Sequence, residues 1–256
     1  LAVISVSSCF IYGHRSITMS HSLDLDNPID LSFQEPFDWD GILAFLRFRA
    51  VTGLETVDKT IYARSVRLES GPDLISIKKD PKKPALCLAV QNEDTHPRIE
   101  TITKVRQLFD LDAKPNAFFA SLSKTPLLVE TVPRLKSIRL PGTWDLFELG
   151  IRAILGQQVT VTGAKTLSQR LVNQFGQQWK PESSCSHCFP TPEKLATSPV
   201  ETIGIPLKRA DAIRAFSSLM SDTKTEAIEA ESFSSCLLKI PGIGPWTVNY
   251  IRMRGL

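Results

Sequence analysis

Apolar positions recur at helical spacing from Asp38 to Val51, where DWDGILAFLRFRAV sets Ile42, Phe45, Leu46 and Arg49 on one face. Asp38 stands where an N-cap belongs, with a carboxylate able to accept from the free amides of the first turn. The period then drops to two. TIYARSVRLE and DLISIKKD alternate in the manner of half-buried strands, and PALCLAVQ is a third strand candidate. HPRIETITKVRQLFDL returns to helical spacing through Ile99, Ile102, Val105 and Leu108. Helix, strands and helix in this order predict a small α+β domain over residues 36–138, with an antiparallel sheet.

After the Pro/Gly punctuation of RLPGTW (residues 139–144) strand signals fade. DLFELGIRAILGQQ is apolar nearly all round except at Asp145, Glu148 and Arg152, so it predicts a buried central helix. VTGAKTLSQRLVNQFG is amphipathic and stops at Gly176. TPEKLATS opens a short helix, PLKRADAIRAFSSLM a longer one with Pro206 in its first turn, and AESFSSCLLKI and PWTVNYIRMR close the chain. Residues 139–256 are therefore expected to form an all-α domain. Residues 1–35 read as an extension, disordered or not native. LAVISVSSCFIY is apolar, but it has no initiating Met, no basic flank and no small-residue cleavage pattern after it, and Met19 opens a more natural polar start.

Composition narrows the function classes. With 42% hydrophobic and 22% charged residues, 256 residues can supply two cores and are not a disordered tail. No run reaches transmembrane length, so no membrane partner is expected. The net charge of +3 is unevenly spread, with 15 Lys+Arg against 10 Asp+Glu from Pro133 onward and 15 against 17 before it. A basic second half suits a polyanion such as DNA, and an ordinary solvated surface could carry the same excess. Five cysteines form no even framework, which points to a reducing compartment. Cys185 and Cys188 have metal-ligand spacing around His187, but no second ligand pair lies near them, so a plain loop before Pro190 and Pro192 is the better reading.

KIPGIGPW (residues 239–246) separates two helical segments, Ser234–Ile240 and Pro245–Arg254. Gly242 and Gly244 permit positive φ and close approach, and Pro245 fits the first helical position. The amides of Gly242, Gly244 and Thr247 would then face outward at a helix N-terminus, where the dipole favours a phosphate. An αα-hairpin that needs its glycines only for tightness explains the same residues equally well.

LLKIPGIGPWTVNYIRMRG resembles the helix–hairpin–helix signature of the DNA glycosylase superfamily, and within it the bacterial 3-methyladenine DNA glycosylase II family. FDWDGILAFLRFRAVTGLETVDKTIYARSVRL, RLPGTWDLFELGIRAILGQQVTVTGAKTL, CFPTPEKLA and GIPLKRADAI follow that family's order from Pro36 onward. The resemblance implies an alkylation-repair enzyme that extrudes an alkylated purine from double-stranded DNA and hydrolyses its glycosidic bond. By similarity, the amides of Gly242, Gly244 and Thr247 hold phosphate, and the carbonyls of Leu238, Ile240 and Ile243 hold a monovalent cation. Gln158 fills the gap left by the extruded base, where familiar members have leucine. Trp246, Tyr250 and Phe45 line the base pocket, their faces attracting a cationic methylated purine. Trp246 stands where strand-cleaving members carry a lysine, so a monofunctional enzyme is expected, leaving an abasic site.

The family's catalytic aspartate would lie about ten residues past Leu256 by the same pattern. No residue of the sequence replaces it, Asp211 and Asp222 belonging to other motifs. The chain is accordingly expected to be a truncated, inactive copy, with Ile154 and Leu155 of the central helix uncovered and solubility poor. The resemblance implies a monomer without a required cofactor, cytoplasmic and nucleoid-associated in a bacterium or nuclear in a eukaryote. Three alternatives remain: a non-catalytic helix–hairpin–helix DNA-binding protein, a glycosylase for oxidised or deaminated bases, and a fusion with a methyl-transfer module.

Overall fold

A computed structural model describes residues 28–91, 99–135, 137–222 and 229–256. The first domain comprises β1 (Ile29–Ser32), α1 (Trp39–Arg49), β2 (Glu55–Val57), β3 (Ile61–Leu68), β4 (Gly71–Lys79), β5 (Ala85–Val90), α2 (Ile99–Leu108), α3 (Pro115–Leu122) and α4 (Val132–Leu135). Its strands form one antiparallel sheet in the order β1-β5-β4-β3-β2. One face of that sheet, with Tyr62, Val66, Ile75, Ile77, Leu86 and Leu88, packs with Leu43 and Leu46 of α1 and with Val105, Leu108 and Phe109 of and just after α2. Asp38 caps α1 by accepting from the Gly41 amide at 2.8 Å.

The domain starts earlier than the sequence pattern indicates. Residues 29–32, expected within a disordered extension, pair with β5, and Leu31 and Phe33 are buried. Four residues of edge strand carry too little periodicity to be read alone. Residues 1–27 of that extension lie outside the described residues. At the head of α2, Ile99 is exposed, so the apolar stripe begins one turn later than its spacing suggests.

The second domain comprises α5 (Leu146–Leu155), α6 (Val161–Phe175), the two-residue strands β6 (Gln177–Gln178) and β7 (His187–Cys188), α7 (Pro192–Thr197), α8 (Leu207–Asp222), α9 (Ala230–Leu238) and α10 (Pro245–Gly255). α5 is its axis. Every residue of α5 except Arg152 is buried. Ile154 and Leu155, expected to lie uncovered, are completely buried in a core shared with Leu171, Phe216, Val248 and Ile251. The expectation fails because α8 and α10 already cover that face. Gly150 is the closest approach: a Cβ there would enter the ring of Phe216.

The two domains pack against each other along β3. Ala63 and Ser65 point from β3 away from the first core. Ala63 packs with Cys185, and the Ser65 hydroxyl donates to the His187 carbonyl. Cys185 and Cys188 are both buried here, with burial pushing the Cys185 thiol up to about 11. Their Sγ atoms face the carbonyls of Ala63 and Val66, so in this fold they act as small apolar residues. On the opposite face of β3, Arg64 meets Glu148 of α5 at 2.7 Å.

Candidate nucleic-acid interface

The hairpin runs from the end of α9 to the start of α10. Gly242 takes a left-handed φ of 94°, and Gly244 is the extended N-cap of α10 with no atom within 4 Å of its would-be Cβ. Pro245 occupies the first turn, as its missing amide allows. The backbone amides of Gly242, Gly244 and Thr247 find no acceptor among the described residues. Unpaired donors at a helix N-terminus suit an anion, and of the three residues Thr247 is buried while Gly242 is exposed. The carbonyls of Leu238, Ile240 and Ile243 lie in the same turn, and that of Ile240 accepts from the Ile243 amide at 3.0 Å.

Trp246 is 66% exposed, so core packing does not account for it. Its ring lies parallel to Tyr250, one turn along α10, with centroids 5.5 Å apart and planes 8° apart. Both rings line a cleft of about 290 Å³ between α10, α5, α6 and the end of α1. The floor comes from Leu149, Ala153 and Gly156 of and just after α5. Its other polar walls are Ser168 and four cations, Arg49, Arg152, Lys165 and Arg254. Among the described residues, no carboxylate lines it.

These cations are held in different ways. Arg152 is anchored by Glu55 at 2.6 Å and Glu148 at 2.8 Å. Arg254 donates to the Pro141 carbonyl, the Gly142 carbonyl and the Tyr250 hydroxyl at 2.8, 2.6 and 2.8 Å. Arg49 has no carboxylate at ion-pairing distance among the described residues, and burial holds its guanidinium below the usual arginine range. It rests on the ring of Phe45, 3.9 Å from the centroid, with Arg254 5.1 Å from the same ring. Phe45, expected as a pocket aromatic, therefore does not line the cleft: its ring supports the arginine that does.

Gln158 is exposed on the loop between α5 and α6, with a left-handed φ of 56°. Val159 beside it is 39% exposed. The structure brings together Trp246, Tyr250, the hairpin amides and the Gln158 loop. Sequence reasoning missed Arg49 and Arg254 as cleft residues, since an arginine at the end of a helix reads as a dipole partner. Arg152 did carry a signal, as the one cation of a helix apolar elsewhere except at Asp145 and Glu148.

A family model described as the AlkA N-terminal domain matches residues 28–145. The DNA-3-methyladenine glycosylase 2 of Escherichia coli is 35% identical over 233 residues, covering 88% of this chain and 79% of that protein. The chain belongs to the DNA-3-methyladenine glycosylase II family. Within the helix–hairpin–helix glycosylase fold, the 3-methyladenine DNA glycosylase of Archaeoglobus fulgidus superposes with a TM-score of 0.71 at 17% identity, covering 87% of this chain and 78% of that one. An 8-oxoguanine glycosylase/lyase of Clostridium acetobutylicum in complex with double-stranded DNA shares the fold at a TM-score of 0.56 and 17% identity, covering 78% of each chain. For a glycosylase II the region matched by the N-terminal model ends at the start of α5, so the hairpin stands on the second domain, and the cleft does too except for Arg49.

Proposed function

We propose that this chain is a monofunctional alkylbase DNA glycosylase that extrudes an alkylated purine from double-stranded DNA into the cleft beside α10. The observation that carries the reading is the Trp246–Tyr250 pair. Two parallel, electron-rich rings, one of them largely exposed, stand at the mouth of a cleft on the helix whose N-terminus offers free amides. Phosphate held by Gly242, Gly244 and Thr247 would set the duplex without reading sequence. Gln158, exposed on its loop, would fill the vacated position and can hydrogen-bond the orphaned base. A flipped purine between the aromatic wall and the apolar floor of α5 would be read by stacking.

A monovalent cation in the turn would be held by the carbonyls of Leu238, Ile240 and Ile243. Those of Leu238 and Ile243 accept no backbone hydrogen bond among the described residues, which suits a hard ion. Such an ion would supply positive charge beside the phosphate.

Trp246 has no amine, so it cannot form a Schiff base with the sugar, and water is the nucleophile in this reading. Lys165 is the only amine among the described residues lining the cleft. Borohydride trapping on abasic duplex tests whether it reacts; a covalent adduct would overturn the monofunctional reading. Because no carboxylate among the described residues lines the cleft, we expect the 256-residue polypeptide to bind and extrude lesions without releasing base. That same feature supports a second reading, a non-catalytic DNA-binding protein. The two separate when the polypeptide and the product of its whole locus are assayed on methylated duplex. Base release without nicking by the locus product supports the glycosylase; lesion binding without release by both supports the second reading.

A further inference from the structure

Gln157 and Gly242 are 85 residues apart in sequence, yet one amide joins the loop of Gln158 to the hairpin. The side-chain nitrogen of Gln157 has two hydrogens. It donates to the Gly242 carbonyl at 2.9 Å and to Thr247 Oγ1 at 3.0 Å. The backbone carbonyl of Gln157 in turn accepts from Arg209 of α8 at 2.8 Å. Both acceptors of the side chain belong to hairpin residues whose own amides find no acceptor among the described residues, Gly242 being exposed and Thr247 buried. The next residue after Gln157 is Gln158, in the left-handed conformation that non-glycine residues adopt at a cost.

We propose that Gln157 is a positioning residue that couples phosphate capture at the hairpin to insertion of Gln158. The inference rests on the extrusion reading above. With Gln157 bonded to both Gly242 and Thr247, a hairpin seated on the backbone sets the distance from that phosphate to the tip of the loop. Without the bond the hairpin keeps its amides and still captures phosphate, but the loop is free to settle elsewhere. Loss of Gln157 therefore lowers extrusion and leaves binding to undamaged duplex unchanged.

The test uses the 256-residue polypeptide and a duplex carrying hypoxanthine with 2-aminopurine as its 3′ neighbour, whose fluorescence rises when stacking is lost. Wild type should brighten the probe. Gln157→Leu should lower the extrusion equilibrium about tenfold, the size of a lost pair of neutral hydrogen bonds. Its anisotropy-measured affinity for undamaged duplex should stay within about twofold. Gln157→Glu, which keeps the shape but turns an acceptor toward the Gly242 carbonyl, should fall at least as far. Thr247→Val should fall less, and adding it to Gln157→Leu should cost little more, since the two share one bond. Wild-type extrusion by Gln157→Leu would overturn the coupling alone. So would equal losses of extrusion, undamaged-duplex affinity and melting temperature, the pattern of a merely structural contact. No brightening by wild type on a duplex it binds would overturn the extrusion reading, and this inference with it.

Discussion

At the residue scale, the two hairpin glycines do different work, and substitution should separate them. A side chain at Gly242 meets the Ala212 methyl at 3.4 Å and, more seriously, a φ of 94°. Gly242→Ala should cost about 1–2 kcal/mol of stability, read by urea unfolding. Gly244 is extended and its Cβ direction is open, so Gly244→Ala should melt as wild type does. Its methyl would stand where a phosphate must approach, so duplex affinity should drop at least tenfold; unchanged affinity would show that no phosphate sits there. Arg49 sets a second residue-scale contest. Stacking on Trp246 attracts a cationic base by about 0.5–2 kcal/mol. An unpaired guanidinium at ~6 Å repels it by ~3 kcal/mol at an effective dielectric of ~20. The repulsion wins while Arg49 stays in place. Arg49→Gln should therefore favour a duplex with hydrolysis-resistant 7-methylguanine over one with neutral hypoxanthine by about a hundredfold relative to wild type, measured by competition binding. An unchanged ratio would mean that Arg49 does not face the base.

At the element scale, α5 shows which features were legible. Its apolar run predicted burial, and its three polar positions fell where they have partners. Asp145 caps the helix by accepting from the Glu148 amide at 2.8 Å. Glu148 and Arg152 pair across one turn while reaching Arg64 and Glu55 of the first domain. A buried pair that loses one member leaves an uncompensated charge. Glu148→Ala should thus destabilise by about 3–5 kcal/mol in chemical denaturation, and a loss below 1 kcal/mol would mean that the pair is not buried in solution. The partners themselves were not legible. Arg64 sits inside an alternating strand pattern, where a charge reads as solvent-facing, and only the packing of a second domain on β3 makes it buried. β1 was missed for a related reason: four residues gain their meaning from β5. The hairpin was legible because its chemistry is local, two glycines and a proline in six residues. The cleft was legible only at Trp246 and Tyr250, since α1, α5 and α6 contribute residues whose convergence no spacing records.

At the scale of the whole molecule, the boundary between the domains carries a charge network, and acid should loosen it. Burial alone would raise the Glu55 carboxyl, but Arg152 and Arg64 outweigh it, with help from the Tyr62 hydroxyl at 2.8 Å, and hold it at about 2 against an ordinary 4.5. Between these values the unfolded chain binds a proton that the folded chain refuses. The contribution of Glu55 is therefore complete above pH 4.5 and is lost as pH falls toward 2. Its size is about 3 kcal/mol, from 1.36 kcal/mol per unit. Asp145 acts in the opposite direction. Burial raises its carboxyl, so protonation in the folded state offsets part of the loss. Since Glu55 lies in β2 and Arg152 in α5, the acid-sensitive pair joins the sheet to the axis of the helical domain. Urea unfolding between pH 6 and pH 3 should show stability falling with acid in wild type. Glu55→Gln should start lower, because Arg152 and Arg64 lose a counter-charge, and fall less steeply over that range. Parallel pH profiles for the two proteins would show that Glu55 is not held ionised by these arginines. The domains would then be joined by the Arg64–Glu148 pair and the apolar seam at Val51, Leu54 and Val172 rather than by Glu55.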